Sequence, residues 1–193
     1  MDPFTQGLLG ASISGSFAKK KTLKVAAICG AIGGMAPDLD AFIKSANDSL
    51  LSIEYHRHFS HSLAFVPLGG LFVTLFLYFF FKNKISFKNL YTYTTTGFLS
   101  HGLLDACTSY GTRLLWPFSD LRVSWNIISI IDPTYTIILF IFIVLCLLRK
   151  SPFLIRVGTS FSFFYLIFGL IKYEQVKVCL LYTSDAADDS LRV

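Results

Sequence analysis

The 193-residue sequence predicts an all-α protein, a polytopic membrane helical bundle. Three observations carry that class. The chain is 53% hydrophobic with 20 Phe and only 15% charged residues, against about 25% charged in an average soluble domain. Its mean hydropathy is +0.59. Its uncharged runs also have the lengths of about six helices that cross, or partly cross, a bilayer.

The elements follow in chain order. Residues 3–18 and 25–37 form a packed helical hairpin closed by the basic "KKKTLK" turn, and neither helix needs to meet lipid all round. Gly30, Gly33 and Gly34 let its helices approach closely, as small residues do in membranes. The run 62–81 is the one long enough to cross a bilayer unaided. Residues 89–109 match it in length but carry His101 and Asp105. Runs 133–148 and 157–171 are shorter spans whose flanking side chains can snorkel. Cys29, Cys107, Cys146 and Cys179 are far apart and form no C-x-x-C, so they read as small buried hydrophobes with no disulfide framework. Acidic Asp2 stands where a signal peptide is basic, and no cleaved signal is expected.

Threading these helices sorts the charges. The turns after the first, third and fifth helices hold Lys19, Lys20, Lys21 and Lys24, then Lys82, Lys84 and Lys88, then Arg149, Lys150 and Arg156, with no acid among them. The positive-inside rule makes that side cytoplasmic. Lysines placed this way also favour anionic headgroups. The acids and all four histidines gather toward the other side, which then faces outward.

The stretch "YHRHFSHS" puts His56, His58 and His61 within six positions, just before the third helix. The fourth helix returns His101 and Asp105 toward the side where His61 began. Four apart, these two share one helix face. At 1.5 Å per residue they lie about 18 Å and about 24 Å along the helix, within or near the hydrocarbon boundary. Ionisable groups at that depth are costly and mark function. The "PDLD" of Asp38 and Asp40 ends the second helix on the same side. A divalent metal explains the conjunction, with His61 and His101 giving nitrogen and Asp38, Asp40 and Asp105 giving oxygen. The plainer readings are an Asp-capped turn at "PDLD", a structural His101–Asp105 hydrogen bond and a solvated His58.

Five segments in order, "MDPFTQGLLGA", "GAIGGMAPDLD", "HRHFSHSLAF", "SHGLLDACTSYGTRLLWPFSDLRVSWN" and "IIDPTYT", resemble the LexA-binding, inner-membrane-associated hydrolases, also called membrane-bound metal-dependent hydrolases. The resemblance covers residues 1–136. It implies a bacterial inner-membrane protein and metal-dependent hydrolysis. Its polar motif residues fall here on Asp38, Asp40, His56, Arg57, His61, His101 and Asp105. His58 stands where that family tends to show a small residue. Family members continue past the sixth helix, whereas the ending "CLLYTSDAADDSLRV" resembles translated adapter sequence. Residues 1–178 are therefore expected to form the membrane-embedded hydrolase-like domain, and 179–193 a non-native tail.

The resulting expectation is a multi-pass inner-membrane hydrolase whose interfacial site faces outward. His56, His61, His101 and Asp105 are its first-choice metal ligands. Asp38 and Asp40 either join them or orient an imidazole. The cofactor is a divalent ion, zinc first. Glu54 is the candidate general base, with Asp40 and Arg57 beside it in catalytic roles. Arg57, Arg113 and Arg122 are placed to grip a phosphate or carboxylate. Membrane lipids and a small or lipid-linked substrate are the expected partners, and nucleic acid is not. The competing classes are a transporter, a non-catalytic metal-binding membrane protein, and a membrane partner of a regulator such as LexA.

Overall fold

The computed structural model describes residues 1–42 and 56–190, with side chains to residue 182. It is all-helical, as the composition predicts. The α-helices are α1 (Pro3–Ser16), α2 (Leu23–Met35), α3 (Val66–Phe81), α4 (Phe87–Ala106), α5 (Pro133–Arg149) and α6 (Pro152–Ser190). Two 3-10 segments, Ala36–Phe42 and Phe59–His61, lie between α2 and α3. Among the described residues the only β-type pairing is an isolated antiparallel bridge between Thr112 and Val123.

Local chemistry starts two of these helices in the same way. Asp2 caps α1 by accepting the Thr5 amide at 2.9 Å, with Pro3 as the first helical residue. Asp132 caps α5 through the Tyr135 amide at 3.0 Å, ahead of Pro133. A proline there loses no helical hydrogen bond, since its missing N–H would be unpaired anyway.

Helices α1, α2 and α4 pack against one another, and glycines set their spacing. A Cβ at Gly97 of α4 would lie 2.2 Å from the Gly30 carbonyl oxygen of α2, and one at Gly10 of α1 would lie 2.3 Å from that same oxygen. Polar contacts reinforce the interior. Ser12 and Thr159 share a hydrogen bond at 2.8 Å, Ser14 donates to the Tyr93 carbonyl at 2.7 Å, and Thr74 meets Thr94 at 2.6 Å. The outside is apolar: Phe72 is 66% exposed and Phe79 76%. An apolar core laced with these polar contacts, inside a phenylalanine-rich surface, departs from the usual soluble arrangement and fits a lipid solvent.

Helix lengths depart from the sequence reading in three places. One is the last helix, which spans Pro152–Ser190 where the run 157–171 predicts a short one, and so continues into the segment read as a tail. The run 62–81 begins its helix only at Val66, because Leu63 is drawn out to donate to the Leu114 carbonyl at 2.9 Å. The second helix does not stop near Pro37; the 3-10 segment prolongs it, and Leu23–Phe42 becomes long and apolar enough to cross a membrane. Pro152–Tyr182 meets the same test, while Val66–Phe81 and Pro133–Arg149 are shorter apolar helices. Cys29, Cys107 and Cys146 are buried free thiols, whereas Cys179 is exposed on α6.

Candidate metal centre

Three distant segments meet at the end of the bundle where α2 finishes. The 3-10 continuation of α2 brings Asp38 and Asp40, the turn before α3 brings Ser60 and His61, and the last two turns of α4 bring His101 and Asp105. Gly102 lets the turn rest on α4, since a Cβ there would sit 2.6 Å from the His61 carbonyl oxygen.

The two imidazoles face each other, with His61 Nε2 and His101 Nε2 2.8 Å apart. Asp38 Oδ1 lies 3.3 Å from His101 Nε2 and 3.8 Å from His61 Nε2. Asp105 Oδ2 lies 3.4 Å from His61 Nε2 and 3.6 Å from His101 Nε2. One atom from each of the four residues falls within 4.8 Å of all the others. The His61, His101 and Asp105 side chains are fully buried, and Asp38 is 16% exposed.

The opposite ring edges decide what this group can hold. His101 Nδ1 lies 2.5 Å from the Gly34 carbonyl oxygen, which only accepts, so Nδ1 carries the proton. Ser60 Oγ donates to Asp40 Oδ2 at 2.5 Å and is left to accept from His61 Nδ1 at 2.9 Å. Asp40 Oδ2 itself is 3.3 Å from that nitrogen. In the neutral rings both Nε2 lone pairs therefore point at the same place as two carboxylate oxygens. Asp105 Oδ2 and Asp38 Oδ2 are buried without a hydrogen-bond partner. Arg57 and the Met1 ammonium offset the charge of Asp105 from outside, and a proton or a metal ion is the cation that fits between the two rings. Burial alone would push the His61 imidazole down, but Asp105, Asp38 and Asp40 outweigh it and raise it to about 10. The donor set also fits a metal. Ligand atoms about 2.0–2.1 Å from a tetrahedral zinc are roughly 3.3–3.4 Å from one another, which is the middle of the observed spread.

Asp105 has further partners. Its Oδ1 accepts from Gln6 Nε2 at 2.8 Å and from the Met1 ammonium. Arg57 Nε is 3.1 Å from its Oδ2. Arg57 sits in the left-handed region at φ 61°. That conformation lets its own amide donate to Asp40 Oδ2 at 3.0 Å. The Arg57 and Arg122 guanidinium carbons lie 4.8 Å and 4.6 Å from the Tyr110 ring centre, so one aromatic ring links two cations at the rim.

The chain matches the YdjM inner membrane protein family over residues 1–176. It belongs to that family. Two relatives are similar over part of this YdjM-family chain. The inner membrane protein YbcI of Escherichia coli (strain K12) is 32% identical over 108 residues, covering 52% of this chain and 60% of YbcI. The protein YfhP of Bacillus subtilis (strain 168), described as uncharacterized, is 32% identical over 101 residues, covering 52% of this chain and 30% of YfhP. The chain thus spans less than two thirds of the length of either relative. No solved structure matches. Family and relatives agree with the apolar surface that this is an inner-membrane protein.

Of the residues that the YdjM-family sequence singles out, Asp38, His61, His101 and Asp105 share the centre. His56 stands one step away: its Nδ1 meets Asp40 Oδ1 at 2.8 Å, and its side chain is 30% exposed. Asp40 lies behind His61 as a hydrogen-bond hub, while Asp38 occupies the place first given to His56. Glu54 lies outside the described residues. Arg113 Nη1 approaches His58 Nε2 at 2.6 Å and Asp120 Oδ1 at 3.6 Å, away from the four donors. Sequence reasoning passed over Ser60, Gln6 and the Gly34 carbonyl. Gln6 carried a signal, as the one amide side chain in a first helix whose other polar residues are small hydroxyls. The Gly34 carbonyl carried none, because a backbone acceptor has no sequence signature.

Proposed function

We propose that this protein is a membrane-bound, metal-dependent hydrolase in which Asp38, His61, His101 and Asp105 hold a divalent ion, zinc first. The observation that carries the reading is the pair of Nε2 atoms 2.8 Å apart, with their Nδ1 edges committed elsewhere and two carboxylates beside them. When bound, the ion supplies Lewis acidity that makes water nucleophilic near neutral pH and polarises an ester or phosphoester oxygen.

The chain's own residues do the rest. The Gly34 carbonyl fixes His101, and Ser60 with Asp40 fixes His61, so both rings present Nε2 without rearrangement. Arg57 sets a positive charge against Asp105 and limits the net negative charge of the centre. Its neighbour Arg122, on the far contact of Tyr110, is exposed to grip an anionic substrate group. His56 stands at the mouth with one ring edge held by Asp40. Glu54 remains the candidate base of the preceding segment.

The basic turns at the other end of the helices support a site facing outward by the positive-inside rule. An interfacial position suits an amphiphile, a lipid or lipid-linked ester. A second reading, a non-catalytic metal centre, is favoured by the complete burial of three of the four donors, which resembles a closed structural site. Elemental analysis of protein purified without chelator tests the common ground. About one divalent ion per chain is expected, and metal-free protein overturns both readings. Loading with Co²⁺ then separates them. A visible spectrum that shifts on adding azide reports an open position, while an unresponsive spectrum assigns the centre a structural role.

A further inference from the structure

Two cavities meet at the second helix. One, of about 440 Å³, is bordered by Asp38 and His56 together with the apolar Met35, Leu39 and Phe42. The other, of about 490 Å³, lies between α2 and α3 and is lined wholly by apolar residues, among them Ile32, Ala36, Phe72, Val73 and Phe76. Met35 and Leu39 line both, so the apolar cleft adjoins the opening at Asp38 across these two side chains. Ile32 is six residues before Asp38, and Phe76 ten residues after the start of α3, placing the deep end roughly 9–15 Å from the site along the helix axes.

We infer that this cleft seats a linear acyl chain of the substrate, with the scissile polar end at Asp38 and the tail running along α2 and α3 toward the membrane interior. The inference rests on the hydrolase reading and adds the substrate class and its specificity-determining wall. Three features select this occupant. Polarity changes along the cleft in one direction, from carboxylate and imidazole to hydrocarbon, as it does along a single-chain amphiphile. The orientation is that of a lipid standing in its own leaflet, head at the interface and tail inward, so no chain must be turned to enter. Access is the third: Phe72 and Phe76, 66% and 67% exposed, stand at the open edge of the cleft, so a chain enters it sideways from the lipid side by exchanging bulk lipid contacts for theirs.

The test uses the full chain, zinc-loaded in detergent, with alkyl hydroxamates as probes because their head chelates metal and their tail length varies. Affinities of acetohydroxamate and octanohydroxamate are measured by calorimetry for the parent, for Val73→Trp, which fills the cleft, and for Phe72→Ala, which removes an exposed wall. In the parent, the longer probe should bind tighter by roughly tenfold or more, because several methylenes leave water. Both variants should lose most of that ratio and keep the acetohydroxamate affinity, which also certifies an intact centre. An equal ratio in parent and both variants, with acetohydroxamate still binding, overturns the acyl cleft and leaves the metal centre standing. Failure of every hydroxamate on the parent overturns the metal reading, and the cleft assignment falls with it.

Discussion

His61 and His101 approach through their Nε2 atoms at 2.8 Å while each ring's other nitrogen is already engaged, His101 with the Gly34 carbonyl and His61 with Ser60 and Asp40. Two neutral imidazoles held that way repel through their lone pairs. The pairing therefore stores a demand for positive charge between them.

Single substitutions His61→Ala, His101→Ala, Asp38→Ala and Asp105→Ala should each strip the ion from protein purified without chelator. His58→Ala should retain it, since His58 meets Arg113 and Trp116 rather than the four donors. His56→Ala should retain it as well, though with weaker binding through the loosened Asp40. Loss of metal in His58→Ala alone would contradict the assignment.

The residues that hold the rings should matter by degree. Asp40→Asn and Ser60→Ala are expected to lower zinc affinity by about 10–100-fold while leaving one site at saturation, the usual effect of removing an orienting partner. Competition with a fluorescent chelator gives the number. Affinity unchanged in both variants would mean that the His61 ring is held by packing alone.

A pH dependence follows from the raised pKa of His61. In the metal-free protein its stabilising contribution is fully present below the ordinary value of 6.5 and is lost as pH rises through about 10. Zinc must displace that proton. Loading at pH 7.5 should thus release about one proton per ion, and apparent affinity should fall by about tenfold for each unit of pH below that point. Calorimetry in buffers of different ionisation enthalpy counts the proton. Zero release would show that His61 is neutral before the metal arrives.

Helix spacing should be as sensitive as the ligands. In Gly97→Ala the new methyl meets the Gly30 carbonyl at 2.2 Å, and both are backbone-anchored, so one helix must move. A loss of about 1–3 kcal/mol in stability is expected, together with weaker metal binding, because Gly34 and His101 lie on the same pair of helices. Thr92→Ala, on the exposed face of α4, serves as control. Thermal unfolding in detergent that is alike for the two variants would remove the close approach from the account.

Topology can be read by labelling. In a Cys179→Ser background, which leaves Cys29, Cys107 and Cys146 buried, Lys20→Cys and Lys84→Cys should react only from the cytoplasm. Asp120→Cys, on an exposed side chain paired with Arg113 and assigned to the outer side by the charge count, should react only from outside. Reversal of that pattern would place the centre on the cytoplasmic face.

The six α-helices among the described residues were legible in the sequence because uncharged runs of helical length are the strongest signal a membrane protein carries. The meeting of His61 with His101 and Asp105 was legible too, since threading alone returns α4 to the side where the histidine stretch ends. The division of labour among Asp38, Asp40 and His56 was not. It depends on the 3-10 path of Ala36–Phe42 and on Arg57 at φ 61°, and helical periodicity says nothing about which oxygen or nitrogen such turns will aim. The late start of α3 escaped for a similar reason. Apolar residues 62–65 suit a helix locally, and only the distant Leu114 carbonyl and the carboxyl hub behind them pull the backbone away.

Asp40 gathers the loop before α3 around a single carboxylate: the His56 ring on one oxygen, and the Arg57 amide, the Ser60 hydroxyl and the His61 ring on the other. Fixing backbone costs about 1–2 kcal/mol per residue, and these contacts offset that cost without drawing on the four residues' facing donor atoms. Under the proposed metal reading, exchange of the ion would be a local event uncoupled from refolding, unlike small zinc domains that collapse without their ion. A centre framed in this way would survive a passage through a metal-poor environment and refill by simple rebinding.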